Sequence, residues 1–220
     1  MSIEKTEKAQ TGDNQEQKKL TVILATGNQD KVREIAQIAS DDRLCFMTMR
    51  KAGFTDEIIE DGSSFAQNAL IKARAVHAVT GGTVMADDSG LSVDMLDGAP
   101  GIYSARFAGD KADYKTKINK LYQMLKHWPQ SQWHAAFICV IALVMPDGSE
   151  KTFYGACRGM ITKEAAGSNG FGYDPVFYIP SLQKTTAQLE PEQKHAISHR
   201  GKALRAACQY LLDQIQPTRI

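Results

Sequence analysis

Two adjacent carboxylates, Asp87 and Asp88, follow the apolar run Thr83-Val84-Met85-Ala86 and precede Ser89-Gly90. An unpaired carboxylate in an apolar setting is costly, so such a pair calls for a metal ion or a cationic partner. Hard oxygen ligands suit Mg²⁺. Successive strand residues point to opposite faces, so the two acids cannot both enter one site unless the strand ends or twists there. One would then bind metal while the other anchors the loop through Ser89 and Gly90. A plain acidic turn is the alternative.

Three further segments carry groups of the same kind of use. Thr26-Gly27-Asn28-Gln29-Asp30-Lys31 joins an apolar run to a helical pattern, so its N–H groups and the helix dipole would face an anion lodged in the turn. Asn28 as a simple cap with Lys31 solvated is the competing reading, and the segment is no Walker A loop because GxxxxGK[ST] is absent. Phe171-Gly172-Tyr173-Asp174 sets aromatic rings beside flexible backbone and an acid, as a base-stacking pocket requires, although such rings are also ordinary core. Ser198-His199-Arg200 opens the last helix, where free N–H groups also point. Glu60 and Asp61, ahead of a capped helix carrying Lys72, are favourable for dipole reasons alone.

Positioning these groups requires an α/β chain. Leu20 to Ala25 reads as a β-branched strand, followed by a helix with Val32, Ile35, Ile38 and Ala39 on one face. Ser64-Phe65-Ala66-Gln67 has the capping-box pattern and opens a helix to about Thr80, which Gly81-Gly82 breaks. A strand over Thr83 to Ala86 then ends at the acidic pair. The spacing predicts a helix from Asp113 to about His127 and a hairpin of Ala136 to Met145 with Lys151 to Ala156, turned by Pro146-Asp147-Gly148. Another strand is expected over Pro175 to Ile179, and a closing helix from near Ser198.

Composition bounds the rest. The 220 residues are 43% apolar and 23% charged, with a net charge of +1, so no broad field draws nucleic acid or anionic lipid. The longest apolar run, Ala135 to Met145, is far short of the roughly 20 residues of a spanning helix. Cys45, Cys139, Cys157 and Cys208 have no CxxC spacing and read as buried thiols in a reducing cytosol. Residues 1–19 are polar, without a secretory h-region, and are expected to form a disordered tail ahead of one domain over 20–217.

In order along the chain these segments resemble the inosine triphosphate pyrophosphatase family. The likeness runs through Leu24-Ala25-Thr26-Gly27-Asn28 with Lys31, Asn68-Ala69 with Lys72-Ala73-Arg74, and Ala86-Asp87-Asp88-Ser89-Gly90-Leu91. It continues in residues 98–106, Gly170-Phe171-Gly172-Tyr173-Asp174-Pro175 and Ile197-Ser198-His199-Arg200-Gly201. The resemblance implies a long, twisted, mixed β-sheet flanked by helices, with two lobes and a nucleotide cleft between them. It implies a cytoplasmic homodimer that hydrolyses ITP, dITP and XTP to monophosphate and pyrophosphate with Mg²⁺.

By position, the resemblance gives Thr26, Gly27, Asn28, Gln29, Asp30 and Lys31 to the triphosphate, with Lys72 a further phosphate contact. Asp88 would be metal ligand and proton acceptor, Glu60 the second metal carboxylate, and Ser89 a substrate contact. Phe171, Gly172, Tyr173, Asp174, Lys194, His199 and Arg200 would bind the base and its neighbourhood. Asp87 has no role that the sequence defines. The chain departs from the family in its N-terminal extension, in Ser168-Asn169 before the glycine-rich run, and in Arg158 where an acid is usual.

Overall fold

The structure is a computed structural model in which residues 19–215 are described. Apart from Lys19, the expected N-terminal tail lies outside them. Seven strands form a mixed sheet in the order β2-β1-β3-β4-β5-β6-β7: β1 (Leu20–Leu24), β2 (Leu44–Thr48), β3 (Thr83–Val93), β4 (His134–Val144), β5 (Glu150–Ile161), β6 (Phe177–Ile179) and β7 (Lys184–Thr185). The helices are α1 (Gln29–Ile38), α2 (Phe65–Thr80), α3 (Tyr114–Leu125), α4 (Pro191–Ile197) and α5 (His199–Ile215). β1 runs parallel to β2 and β3, and every other pairing is antiparallel.

Strand alternation sorts the long β3–β4 pair into two faces. Val84, Ala86, Val140, Ala142 and Val144 pack with Ala69, Ala73 and Val76 of α2. Met85, Cys139, Ile141 and Leu143 pack on the other face with Ala203, Leu204, Ala207 and Leu211 of α5. Further along, Leu91, Val93, Ala135 and Phe137 gather Leu121 and Leu125 of α3 and Phe177 of β6 into a second lobe. The small residues of α2 let it lie close to the sheet. Gly155 does the same on β5, where a Cβ would meet the His199 carbonyl oxygen at 2.1 Å. That contact fixes the start of α5 against the sheet.

Several elements differ from expectation. The acidic pair does not end its strand: β3 continues through Val93, paired with β4 as far as Ala135. What ends at the pair is the parallel neighbour, because β1 accompanies β3 only from Thr83 to Met85 before the chain turns away. β6 is confined to Phe177–Ile179, since Asp174-Pro175-Val176 forms a 3₁₀ turn in which the Asp174 carboxylate accepts from the Phe171 N–H. A short helix, α4, precedes α5, and Ser198 in extended conformation separates the two. β2 had no sequence signal strong enough to call, and Cys45 on it is exposed rather than buried.

Candidate active site

A cleft of about 480 Å³ opens between the two lobes where β1 leaves the sheet. Thr26, Gly27, Asn28 and Lys31 line it on one side, Glu60, Lys72, Asp88 and Ser89 lie along its floor, and Phe171, Gly172, Tyr173, Asp174, Lys194, His199 and Arg200 form the far side. Gln29 is exposed at the start of α1 and Asp30 pairs with Arg33, and neither lines the cleft. Asn28 caps α1 with its side chain, accepting from the Asp30 and Lys31 N–H groups. The cap organises the turn.

Asp87 points to the α5 face and is fully enclosed by partners. Lys31 Nζ lies 2.5 Å from Oδ1 and Arg200 Nε 2.8 Å from Oδ2, while Ser89 Oγ and the Cys139 thiol donate to the two oxygens at 2.9 and 3.2 Å. Burial opposes ionisation, but the Arg200 and Lys31 charges override it and hold the carboxyl well below the usual carboxylate range. Arg200 passes on to Ser89 Oγ at 2.8 Å and to Glu34, and Glu34 holds Lys194 Nζ at 2.7 Å. Lys194 then reaches Asp174 at 2.6 Å. Three acids and three bases thus alternate in one buried chain that ties α1, β3, α5 and the glycine-rich loop together.

That chain also shapes the aromatic loop. Gly170 has φ +75°, and a Cβ there would sit 2.1 Å from Asp174 Oδ2, so only glycine lets the loop close over the Asp174–Lys194 pair. Lys194 and Arg200 stand 5.3 and 5.5 Å from the centroid of the Phe171 ring. His199 is buried, stacked on Phe137 at 4.9 Å, and its Nδ1 has no hydrogen-bond partner. Burial, reinforced by the Arg200 charge, pushes its pKa well below the usual range, so it is neutral.

Asp88 points the opposite way, toward α2. Lys72 Nζ contacts both Asp88 Oδ1 at 3.0 Å and Glu60 Oε2 at 2.7 Å, and the second Asp88 oxygen is buried without a partner. Burial raises the Asp88 pKa, with Lys72 and Lys31 opposing and the Glu60 charge adding to the rise. No group of three or more His, Cys, Asp or Glu suited to a metal ion occurs among the described residues. Two carboxylates, one with an orphaned oxygen, nevertheless fit Mg²⁺, which takes one or two protein carboxylates and completes its shell from phosphates and water.

The chain carrying this cleft is similar along most of its length to a known group of proteins. A model described as "Ham1 family" matches residues 22–210. The chain belongs to the Ham1 family. It is 46% identical over 193 residues, 87% of this chain and 96% of the relative, to a protein of Desulforamulus reducens named dITP/XTP pyrophosphatase. It is 47% identical to one of Escherichia coli with the same name, over 84% of this chain and 94% of that one. Among solved structures it resembles a HAM1 protein from Coxiella burnetii, with TM-score 0.81 and 40% identity, over 88% of this chain and 99% of the other. The seven-stranded Ham1 sheet is therefore the mixed α/β architecture expected from the sequence.

Sequence reasoning gave no role to Glu34, which joins the charge chain, or to Ser104, Arg106, Tyr114 and Phe137, which line the cleft. Glu34 sits three residues beyond Lys31, the same-face spacing of a helix, which was the available signal. Nothing in the sequence tied it to Lys194 and Arg200, which it meets across separations of 160 and 166 residues. Ser104 donates to the Gly101 carbonyl and accepts from the Leu91 N–H, fixing the cleft floor against residues 101–106.

Proposed function

We propose that this chain hydrolyses non-canonical purine nucleoside triphosphates, ITP, dITP and XTP, to the monophosphate and pyrophosphate, cleansing the nucleotide pool of deaminated purines before they enter DNA or RNA. One observation carries the proposal. The unpartnered Asp88 carboxylate oxygen, beside Glu60 and Lys72, shares a single cleft with the Thr26–Lys31 turn and the Phe171–Asp174 loop. The names of the curated relatives support the same substrates.

Cleavage between the α and β phosphorus atoms needs a water aimed at the α-phosphorus, and pyrophosphate as leaving group makes charge neutralisation the main task. Glu60 and Asp88 would hold Mg²⁺, which when bound supplies positive charge at the phosphate oxygens. Lys31, Lys72 and the N–H groups at the start of α1 add charge and donors along the triphosphate. Asp88 orients or deprotonates the water, and the burial that raises its pKa makes it a stronger base than an exposed aspartate. Ser89, held by Asp87 and Arg200, contacts the substrate beside it.

At the other end, Phe171 to Asp174, Lys194, His199 and Arg200 receive the base. A 6-keto oxygen accepts from donors there, whereas the 6-amino group of adenine would meet them donor to donor. Sites of this kind discriminate by orders of magnitude. Residues 20–217 act as one domain in this scheme, in a cytoplasmic homodimer. Incubation with ITP or ATP and Mg²⁺, with identification of products, tests it. Inosine monophosphate plus pyrophosphate, formed far faster than the products of ATP, is expected. Orthophosphate, or equal rates on both nucleotides, would overturn it.

A further inference from the structure

Tyr114 carries a property that neither aromatic residue of the glycine-rich loop has. Tyr173 is 3% exposed, and its hydroxyl donates to the Ser104 carbonyl oxygen at 3.2 Å, so both its ring and its polar end are committed to the fold. Phe171 has two buried cations against its ring. Tyr114, the first residue of α3, is half-buried, lines the cleft, and makes no side-chain hydrogen bond among the described residues.

The ring is nevertheless well placed. It meets Tyr173 edge to face, with centroids 5.6 Å apart and planes at 82°. Lys117, one turn along α3 and buried, stands 4.5 Å from its centroid. Gly172, at φ +73°, packs beside its phenolic end, where a Cβ would lie in ordinary van der Waals contact, 3.4 to 3.7 Å from the ring and hydroxyl. The result is an aromatic side chain held in orientation by three neighbours and offering the cleft a free hydroxyl.

Resting on the nucleotide reading of this cleft, we infer that Tyr114 is a binding contact for the purine base, forming the outer wall of the base end. Its ring packs on the base and its hydroxyl is the wall's free hydrogen-bonding group. Base–aromatic stacking commonly changes binding by about tenfold or more on alanine substitution. The Tyr114 ring therefore acts on affinity, because it lies at the base end of the cleft while Asp88, Lys31 and Lys72 serve the phosphates.

The test compares wild type, Y114F, Y114L and Y114A. First, wild type must release pyrophosphate from ITP; if it does not, the underlying functional reading fails and Tyr114 is not at issue. Given that activity, Y114A is expected to raise the KM for ITP and the calorimetric Kd for inosine monophosphate at least fivefold, with kcat within twofold. Y114L, which keeps bulk against Tyr173, is expected to recover less than half of that loss, and Y114F most of it. Inhibition by inorganic tripolyphosphate, which has no base, should be equal in all four proteins. A change below fivefold in Y114A, a loss confined to kcat, full recovery by Y114L, or an equal weakening of tripolyphosphate inhibition would each overturn the inference.

Discussion

Asp87 and Asp88, joined by one peptide bond, are neutralised by different cations on opposite faces of β3: Asp87 by Lys31 and Arg200, Asp88 by Lys72. Strand alternation imposes the split, and it separates a residue that holds the site from one free to act in it. Every carboxylate oxygen of Asp87 is engaged, while one of Asp88 is not.

The two asparagine variants should therefore fail in different ways. Asp87→Asn leaves Arg200 and Lys31 short of a buried counter-charge, a change that costs about 3–5 kcal/mol when a buried pair is broken. A lowered denaturation midpoint is expected. Asp88→Asn keeps the Lys72–Glu60 pair and should unfold within about 1 kcal/mol of wild type, yet lose roughly a hundredfold or more in kcat, the range for a lost general base. Urea titration beside a pyrophosphate-release assay distinguishes them. Wild-type-like turnover in Asp88→Asn would remove Asp88 from the chemistry.

Glu34 is the hinge of the buried charge chain, so its loss should reach both ends. Glu34→Gln keeps the shape but takes away the charge between Arg200 and Lys194, and hydrogen bonds to charged groups are worth about 1.5–3 kcal/mol. A destabilisation of about 2 kcal/mol is expected, with a raised KM for ITP because Lys194 also positions the loop through Asp174. An unchanged KM would show that the chain only supports the fold.

How much of this was legible beforehand follows from the range of each interaction. Lys31 and Asp88 stand in segments that carry local signals, a capped turn and an apolar strand, whereas Lys72 and Glu60 join them only through the family resemblance. The opposite-face rule separated Asp87 from Asp88 without a structure. It could not say which cations each would meet, because Arg200 lies 113 residues from Asp87. Nor could the run Thr83 to Ala86 reveal that β3 continues, since Ser89 and Gly90 look like turn residues; β4 keeps them in the sheet by pairing with both. Gly90 is small because residues 101–104 press on it, with a Cβ 2.4 Å from the Gly101 carbonyl oxygen.

Removing divalent metal should abolish turnover but barely touch stability. Lys72 already pairs with both Glu60 and Asp88, so the carboxylates do not depend on Mg²⁺ to fold. With excess chelator the thermal midpoint is expected to move by less than about 2 °C, under roughly 1 kcal/mol for a chain of this size, while ITP hydrolysis stops. A large drop in midpoint would mean that the ion contributes to folding outright.

Acid sensitivity should begin near neutrality because of His199. Its folded pKa lies well below the ordinary value of 6.5, through burial first and the Arg200 charge second. Above pH 6.5 the imidazole is neutral in both states and its contribution is constant. As pH falls below 6.5, the unfolded chain takes up a proton that the folded protein refuses, so stability declines at up to about 1.4 kcal/mol per pH unit from this group. His195, whose pKa is also lowered by burial, acts in the same direction. His199→Gln removes one titrating site and should flatten the stability profile between pH 6.5 and 5 without reaching zero slope. Urea unfolding at half-unit pH steps reads the difference; identical slopes in the two proteins would mean that His199 is protonated in the fold, against the burial that surrounds it.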